Sequence, residues 1–235
     1  MDLTKYISPH LFGKYEFYNY NHAAEIITQS FSDEWEEVEN CLSKLEITVD
    51  DLRTQGGNET RIPKKFDDVL YPYGWREIRI SGDLHINFYP RKGTKRGSFS
   101  KNPNDSKVIK GFIDGHNIDF LKGRVAFDLE WNSKDQTFDR DLLAMRTYYE
   151  CDVISAGIIV TRSAELNDVF KTIYDSKGED ILSKYGASTT WMGKLLPRLD
   201  SRRNGGCPIL AVGIKKPCII DWEEGYTDVY TPGNN

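Results

Sequence analysis

The alternation of apolar and polar residues predicts β-strands in the middle and the C-terminal part of the chain. REIRIS at 76–81 and LHINFY at 84–89 alternate with a period of two, and the Gly-Asp pair between them fits a two-residue hairpin turn. VISAGIIVT at 153–161 and PILAVGI at 208–214 are apolar on both faces, which is typical of strands buried inside a sheet.

Helical spacing of apolar residues predicts helices between these strands. The predicted helices are residues 22–29, a helix from an N-cap at Ser32 to Leu45, a helix from an N-cap at Asp139 to Tyr149, a helix from an N-cap at Ser163 to Ile173, and a short helix within 186–206. Strands, a helix, a strand, a helix and a strand in that order predict an α/β fold with a mixed central β-sheet flanked by helices.

The remaining segments are predicted to be an arm and loops. Residues 1–21, rich in Tyr and Phe, are expected to form an ordered N-terminal arm. Residues 53–66 are polar and contain Gly and Pro, so they predict a loop. Residues 91–107 and part of 186–206 predict two long basic loops. The length of 235 residues fits a single domain over the whole chain.

The composition is that of a folded protein outside the membrane. Hydrophobic residues make up 39% and charged residues 29%, and no apolar run approaches the roughly 20 residues that span a bilayer. The N-terminal segment carries Pro and charged residues where a signal peptide needs an apolar core, so we expect a cytoplasmic protein. The four cysteines lack C-x-x-C pairing and zinc-spaced histidines, which favours reduced, mostly buried thiols.

The net charge of −5 argues against nucleic acid, but the charges are unevenly distributed. Residues 31–51 collect acidic side chains, whereas residues 91–110 collect basic side chains around a lone Asp105. Basic loops are what a DNA phosphate backbone would meet. Charge runs of this kind are also common on ordinary solvated surfaces, so charge alone leaves both interpretations open.

Three carboxylates in IDFLKGRVAFDLEW at 118–131 form the most informative pattern. After a Lys-Gly turn, apolar residues alternate with Asp128 and Glu130, which puts both carboxylates on one face of a strand. Asp119 precedes the turn and can meet them from the neighbouring strand. Clustered carboxylates repel one another, and a hard cation such as Mg²⁺ removes the repulsion and supports phosphoryl transfer. The alternative is an exposed strand face that happens to be acidic.

The spacing Asp119-x8-Asp128-x-Glu130 resembles the PD-(D/E)xK nuclease motif in a form without lysine. YNYNHAAEI at 18–26, GWREI at 74–78 and NIDFLKGRVAFDLEW at 117–131 resemble, in that order, segments of the BglII/BstYI family of type II restriction endonucleases. The resemblance implies a PD-(D/E)xK nuclease core and hydrolysis of double-stranded DNA with Mg²⁺, for which Mn²⁺ can substitute. It also implies a short palindromic site containing GATC, 5′-phosphate ends and a four-base 5′ overhang.

The resemblance assigns roles to individual carboxylates. Asp119 and Asp128 correspond to metal ligands, with Asp128 in place of the more usual Glu. Glu130 stands where most nucleases of this superfamily carry Lys and BglII-like enzymes carry Gln. It is therefore expected either to bind a second metal, which we favour, or to accept a proton from the attacking water. Glu77 is the candidate for an upstream acidic helper, and its alternative role is that of an outward strand residue.

Residues just past the catalytic strand contact bases in the enzymes that the chain resembles. Asn pairs with adenine edges, Lys with guanine edges, and Thr near a helix start can hold a phosphate. The candidate DNA-binding residues are Asn132, Ser133, Lys134, Thr189, Thr190, Arg198, Arg202, Arg203, Asn204, Lys95 and Arg96. The alternative for each of them is a place in an ordinary polar loop.

A palindromic site requires a two-fold symmetric protein, so a homodimer is expected. Leu142, Met145 and Tyr149 on the helix at 139–150 are candidates for the contact, although a place in the core suits them equally. Other functions remain open: a methylation-dependent or repair nuclease, a catalytically silent DNA-binding protein, or a glycosidase with paired carboxylates.

Overall fold

A computed structural model describes residues 2–53, 61–93, 96–175, 177–226 and 228. These residues form a six-stranded sheet with the order β1-β6-β5-β4-β3-β2. The strands are β1 (Tyr15–Tyr20), β2 (Arg76–Phe88), β3 (Asp105–Lys122), β4 (Val125–Glu130), β5 (Ala156–Arg162) and β6 (Ile209–Ile214). The α-helices are α1 (Leu11–Lys14), α2 (Ala23–Ser30), α3 (Ser32–Lys44), α4 (Val49–Arg53), α5 (Arg61–Leu70), α6 (Thr137–Glu150), α7 (Leu166–Phe170) and α8 (Met192–Asp200).

The sheet is mixed, as the sequence predicts. Strands β4, β5 and β6 run parallel to one another, whereas β1 is antiparallel to β6 and β3 is antiparallel to β4. Every residue of the three parallel strands is buried, which explains their apolar character on both faces. Parallel neighbours need long crossovers, and α6 provides the one from β4 to β5. The α/β fold with a mixed sheet flanked by helices is confirmed.

The chain divides into two compact units. The larger unit comprises residues 1–78 and 118–235, and the smaller unit comprises residues 79–117. The single domain expected from the length therefore stays a prediction. The smaller unit consists of the greater part of β2 and β3 with the segment that joins them.

The hairpin turn predicted at Gly82 and Asp83 is wrong, because β2 runs through both residues without a break. Strand β2 pairs with β3 instead of folding back on itself. The Asp83 carboxylate accepts a hydrogen bond of 2.9 Å from Gly111 N, and Lys110 Nζ lies 2.8 Å from it. Gly111 has a positive φ of 59°, so the irregular residue lies on the partner strand.

Two other predicted irregular segments are partly regular. The N-terminal arm of residues 1–21 includes β1, and its Tyr15 is 1% exposed in the core. Of the loop predicted at 53–66, residues 54–60 lie outside the described residues, and residues from Arg61 onward form α5. Ile62 and Phe66 face the core from one side of α5, a helical spacing that the nearby Pro63 obscures in the sequence.

The three predicted helix caps are also wrong. Helix α3 includes Ser32 as its first residue, and the N-caps of α6 and α7 are Gln136 and Glu165. Asp139 lies inside the first turn of α6, where its carboxylate accepts a hydrogen bond of 3.1 Å from Arg198 Nε. Its side chain is thus committed to an ion pair between helices rather than to backbone N–H groups.

The core lies between the sheet and helices α2, α3 and α5. The ring of Phe127 on β4 packs 5.7 Å from Phe66 of α5 and 5.6 Å from Phe120 of β3, measured between centroids. The cysteines are free thiols, with Cys151 exposed and the other three buried. Within the described ranges, no helix combines the length and apolar character needed to cross a bilayer.

Truncating Phe127 to alanine should destabilise the protein by about 3–5 kcal/mol, because it removes a fully buried ring from between two others. Urea unfolding followed by tryptophan fluorescence measures the free energy of unfolding. Phe112→Ala is the matched control, since Phe112 is 59% exposed and should change stability by no more than about 0.5 kcal/mol. Equal effects of the two substitutions would contradict the assigned core.

Candidate active site

The antiparallel pair β3–β4 brings the predicted carboxylates together. Leu121 pairs with Ala126 and Lys122 with Val125, and Gly123 turns the chain with a φ of 53°. Continuing the same register beyond Phe120–Phe127 places Asp119 opposite Asp128. The turn falls one residue later than the predicted Lys-Gly turn, because Lys122 still belongs to β3.

Asp119 and Asp128 each accept a hydrogen bond from a backbone N–H of the opposite strand. Asp119 N donates to Asp128 Oδ1 over 2.8 Å, and Leu129 N donates to Asp119 Oδ2 over 3.0 Å. We call this reciprocal arrangement the carboxylate clasp. It fixes one oxygen of each carboxylate and leaves Asp119 Oδ1 and Asp128 Oδ2 for other partners.

The polar face of β4 is buried rather than exposed. Asp128 is 3% and Glu130 is 6% exposed, with α6 packed over them. Asp119 on β3 keeps an exposed surface. Desolvation by the surrounding protein nevertheless raises the pKa of Asp119 to about 6, assisted by the charges of Glu130 and Glu77. Burial also raises the pKa of Asp128 well above its usual value, and the charge of Asp119 adds to the effect. An exposed acidic face would show neither property, so the solvated-surface interpretation does not describe β4.

Asp141 and Arg140 on α6 belong to the same cluster and were not predicted from the sequence. Asp141 is 2% exposed, and burial together with the charges of Glu130 and Asp128 raises its pKa to about 10. The Arg140 guanidinium lies 3.2 Å from Asp141 Oδ1. Its positive charge offsets part of the rise in the pKa of Asp119 and Asp128. The available signal was helical spacing, which puts an acidic residue at 141 on the apolar face of the helix.

The two remaining acidic candidates lie at the margin of the cluster. Glu130 Oε2 lies 3.1 Å from the hydroxyl of Thr137, the first residue of α6. Glu77 is exposed near the start of β2, and its charge raises the pKa of Asp119. The four predicted catalytic residues are therefore close enough for charges among them to affect the pKa of Asp119 or Asp128.

The donor set fits a hard divalent cation. Every candidate ligand is a carboxylate, and Asp128 Oδ2 is buried without a hydrogen-bond partner in the described part of the chain. A cation would relieve the repulsion that raises these pKa values. In the present side-chain arrangement, no group of three Asp, Glu, His or Cys residues among those described is positioned to hold a metal ion. Binding therefore requires side-chain adjustment.

Two predicted DNA-binding segments lie side by side. Thr190 N donates to Ser133 O and Asp135 N donates to Ser188 O, both over 2.8 Å. Lys134 and Thr189 form a β-bridge between the same segments. We call residues 132–135 and 188–190 together the loop pair. The first half of the loop pair begins at Asn132, two residues after Glu130, the last residue of β4.

The other DNA-binding candidates have different environments. Arg198 and Arg203 both donate to the Asp139 carboxylate, and Asn204 is buried with its amide donating to Cys207 O over 2.6 Å. Arg202 and Arg96 are exposed, whereas Lys95 lies outside the described residues. In this conformation only the exposed members of the set are accessible to a ligand.

Of the three α6 residues predicted to contact a partner subunit, only Tyr149 is exposed. Leu142 and Met145 are fully buried in the core of their own chain, so they cannot contact a partner. Tyr149 is 39% exposed and Leu143 is 52% exposed on the outer side of the same helix. The helical period explains the difference, because residues 142 and 145 face the sheet.

Asp128→Asn should raise the melting temperature of the metal-free protein. Burial makes the folded-state pKa of Asp128 higher than the unfolded-state value, so ionisation works against folding. This cost is absent below about pH 4 and grows as the pH rises. The gain should therefore be larger at pH 8 than at pH 5, with each kcal/mol worth about 2–4 °C.

Differential scanning fluorimetry at the two pH values measures the effect. Asp114→Asn is the control, because the Asp114 side chain is 82% exposed and its substitution should leave the melting temperature unchanged. A lower melting temperature of Asp128→Asn at pH 8 would show that the buried charge does not strain the fold.

Comparison with known proteins assigns this chain to a family. The family model described as restriction endonuclease BglII/BglIII matches residues 15–214 of the 235-residue chain. A search of curated proteins finds no significant match. The matched region contains the carboxylate clasp, Glu130 and the loop pair, and restriction endonucleases of this type generally use divalent metal ions. The chain therefore belongs to the restriction endonuclease BglII/BglIII family of type II site-specific deoxyribonucleases, which act on double-stranded DNA.

Proposed function

We propose that this chain is a Mg²⁺-dependent endonuclease that cuts a short palindromic DNA site as a homodimer. Asp119, Asp128 and Glu130 are its metal ligands, with Mn²⁺ as a substitute ion. The observation that carries the proposal is the carboxylate clasp, because it orients two adjacent carboxylates, the buried Asp128 and the exposed Asp119, and leaves Asp128 Oδ2 without a hydrogen-bond partner among the described residues. A fold without a ligand at this position has little reason to keep such an oxygen buried.

The chemistry is hydrolysis of a phosphodiester bond. Water attacks phosphorus in line, a P–O bond forms as the P–O3′ bond breaks, and the products are a 5′-phosphate and a 3′-hydroxyl. When bound, Mg²⁺ lowers the pKa of water and stabilises the charge that develops on the phosphate oxygens. The clasp anchors one oxygen of each carboxylate to the opposite strand, which limits how far Asp119 and Asp128 must move when the cation binds.

The role of Glu130 follows from its surroundings. It lies on the same strand face as Asp128, and the Thr137 hydroxyl lies 3.1 Å from one of its oxygens. Burial of Glu130 beside two other carboxylates suits binding of a metal, a second ion included, better than proton transfer by a mobile base. Arg140 is half exposed at the edge of the cluster, where its charge can meet the negative phosphate.

The loop pair is the proposed base-reading element. Asn132 Oδ1 and Thr190 Oγ1 are buried and have no hydrogen-bond partner within the described ranges, and Lys134 is exposed. Polar atoms without partners next to a nuclease site fit contacts that form only when DNA binds. The GATC-containing site and the four-base 5′ overhang remain proposals that rest on the resemblance alone.

The homodimer is proposed from the symmetry of a palindrome. The exposed side of α6 with Leu143 and Tyr149 is its candidate contact, replacing the buried Leu142 and Met145. Sedimentation velocity measures the mass in solution directly.

Plasmid DNA incubated with the protein and Mg²⁺ should give discrete fragments, and EDTA should abolish the cutting. Asp128→Ala should lower the cleavage rate at least about a thousandfold, equivalent to about 4 kcal/mol of transition-state stabilisation, because it removes a metal ligand and leaves no oxygen in its place. Asp114→Asn should cut like the wild type, since Asp114 is exposed and belongs to the smaller unit.

The plasmid is prepared with and without adenine methylation at GATC, and fragment ends are sequenced. Cutting of only the methylated plasmid would replace the proposal with a modification-dependent nuclease. Binding of DNA without cutting would identify a silent DNA-binding protein.

Glu130→Gln should keep the single-turnover rate within about tenfold of the wild type, because an amide oxygen can still act as a metal ligand. Glu130→Ala, which has no ligand atom, should lose more than about a hundredfold. Removal of a general base costs about 10²–10⁴-fold. A loss of that size in Glu130→Gln would assign Glu130 to proton transfer instead of metal binding.

A further inference from the structure

Arg162, the last residue of β5, carries a buried positive charge next to the proposed recognition element. It is 1% exposed. Within the described part of the chain it forms no ion pair with a carboxylate, although ion pairs are the usual way to compensate a buried charge. Burial lowers the pKa of its guanidinium to about 10, so it remains charged at neutral pH. Its retention in this position needs an explanation.

The guanidinium of Arg162 joins two segments that are distant in sequence. Nε donates to Trp131 O over 2.9 Å, and Nη2 donates to Thr189 Oγ1 over 2.6 Å. Trp131 is the residue between Glu130 and Asn132, and Thr189 lies in the other half of the loop pair. A single planar group therefore links Thr189 in one half of the loop pair to the residue that precedes the other half.

Aromatic rings hold the guanidinium in this orientation. Its central carbon lies 5.0 Å from the ring centroid of Tyr185 and 5.4 Å from that of Phe170. These two rings stack on each other at 4.1 Å, and Trp131 meets Tyr185 edge-on. The cation is thus stabilised by ring faces instead of by a carboxylate, which leaves its donors for the backbone and Thr189.

The preceding residue extends the same arrangement to the active site. Thr161 pairs with Glu130 in the parallel ladder, and its hydroxyl donates to Glu130 O over 2.7 Å. The ladder of β4 and β5 ends at this pair. At this end of the ladder, two successive side chains of β5 donate to two successive carbonyl groups. Thr161 donates to Glu130 O and Arg162 donates to Trp131 O.

We propose that Arg162 is a positioning residue that sets the loop pair in register with the catalytic strand, so that base reading and phosphodiester cleavage occur at a fixed separation. The inference rests on the proposed function, because it treats the loop pair as the base-reading element. Arg162 itself lies beneath that element and does not touch DNA. Its loss should impair discrimination between sites more than the rate at the preferred site.

The test compares Arg162→Met, Arg162→Lys and the control Arg79→Met. Met keeps an unbranched chain without charge or donors, and Lys keeps the charge but not the planar fork. Arg79 is mostly exposed on β2 and pairs with Asp114. Thr189→Val removes the acceptor hydroxyl while leaving the buried charge, so the test remains possible if Arg162→Met does not fold.

Hydrogen exchange followed by mass spectrometry gives a readout that does not depend on activity. Arg162→Met should exchange at least about tenfold faster than the wild type in residues 132–135 and 186–190, with β5 residues 156–161 unchanged. The exchange of Arg162→Lys should lie between that of Arg162→Met and that of the wild type. Thr189→Val should speed exchange in residues 186–190, and Arg79→Met should match the wild type. Unchanged exchange in both halves of the loop pair would overturn the proposal.

Cleavage kinetics give the second readout. For Arg162→Met, the ratio of kcat/KM at the preferred site to kcat/KM at sites altered by one base pair should fall at least about tenfold. The maximal single-turnover rate at the preferred site should stay within about threefold, and Arg162→Lys should recover part of the ratio. A uniform fall in rate with an unchanged ratio would show a merely structural residue and overturn the inference.

The two readouts separate failure of this inference from failure of the proposed function. A wild-type protein that cuts no DNA overturns the endonuclease proposal and, with it, the base-reading role assigned to the loop pair. Normal sequence-specific cutting by the wild type, together with unchanged exchange and discrimination in Arg162→Met, overturns the role of Arg162 alone.

Discussion

The site depends above all on the way in which Asp119 of β3 and Asp128 of β4 are held across the antiparallel pair that adjoins the parallel strands. Asp119 and Asp128 each accept a backbone N–H of the other strand, so their charges are oriented without being neutralised. The pKa of both groups is raised, which means that the cluster opposes folding while it is ionised. The surrounding fold must provide enough stability elsewhere to keep them in place.

The sheet provides that stability on the opposite face of the same strand. The alternate residues of β4, among them Phe127, enter the main hydrophobic core between the sheet and helices α2, α3 and α5. Since the two faces of a strand are rigidly related, packing Phe127 fixes Asp128 and Glu130 as well. Helix α6 then covers the polar face and adds Asp141 and Arg140 to it. Strand β4 thus carries core residues on one face and the acidic residues of the candidate site on the other.

Much of this arrangement could be predicted from the sequence, because period-two alternation at 125–131 identifies both the strand and the face that carries Asp128 and Glu130. Asp119 was expected on the neighbouring strand, although its exact partner was not, because the turn lies one residue later than predicted. Burial of the acidic face could not be predicted, since it depends on where α6 packs after a crossover. The hairpin predicted at Gly82 and Asp83 failed for the same reason, because long-range pairing of β2 with β3 overrides a local turn signal.

Arg162 and the carboxylate clasp both hold a charged group by hydrogen bonds to neutral partners. The group is positive in Arg162 and negative in the clasp. The clasp satisfies buried negative charge with backbone N–H groups, and Arg162 satisfies buried positive charge with a backbone carbonyl and a threonine hydroxyl. Direct pairing of these charges would neutralise both and remove the cation-binding potential of the acids. Because each is compensated by neutral dipoles instead, the negative charge remains available to a metal ion and the arginine remains available to orient the adjoining loops. The ends of β4 and β5 thereby hold two buried charges of opposite sign, each with a separate task.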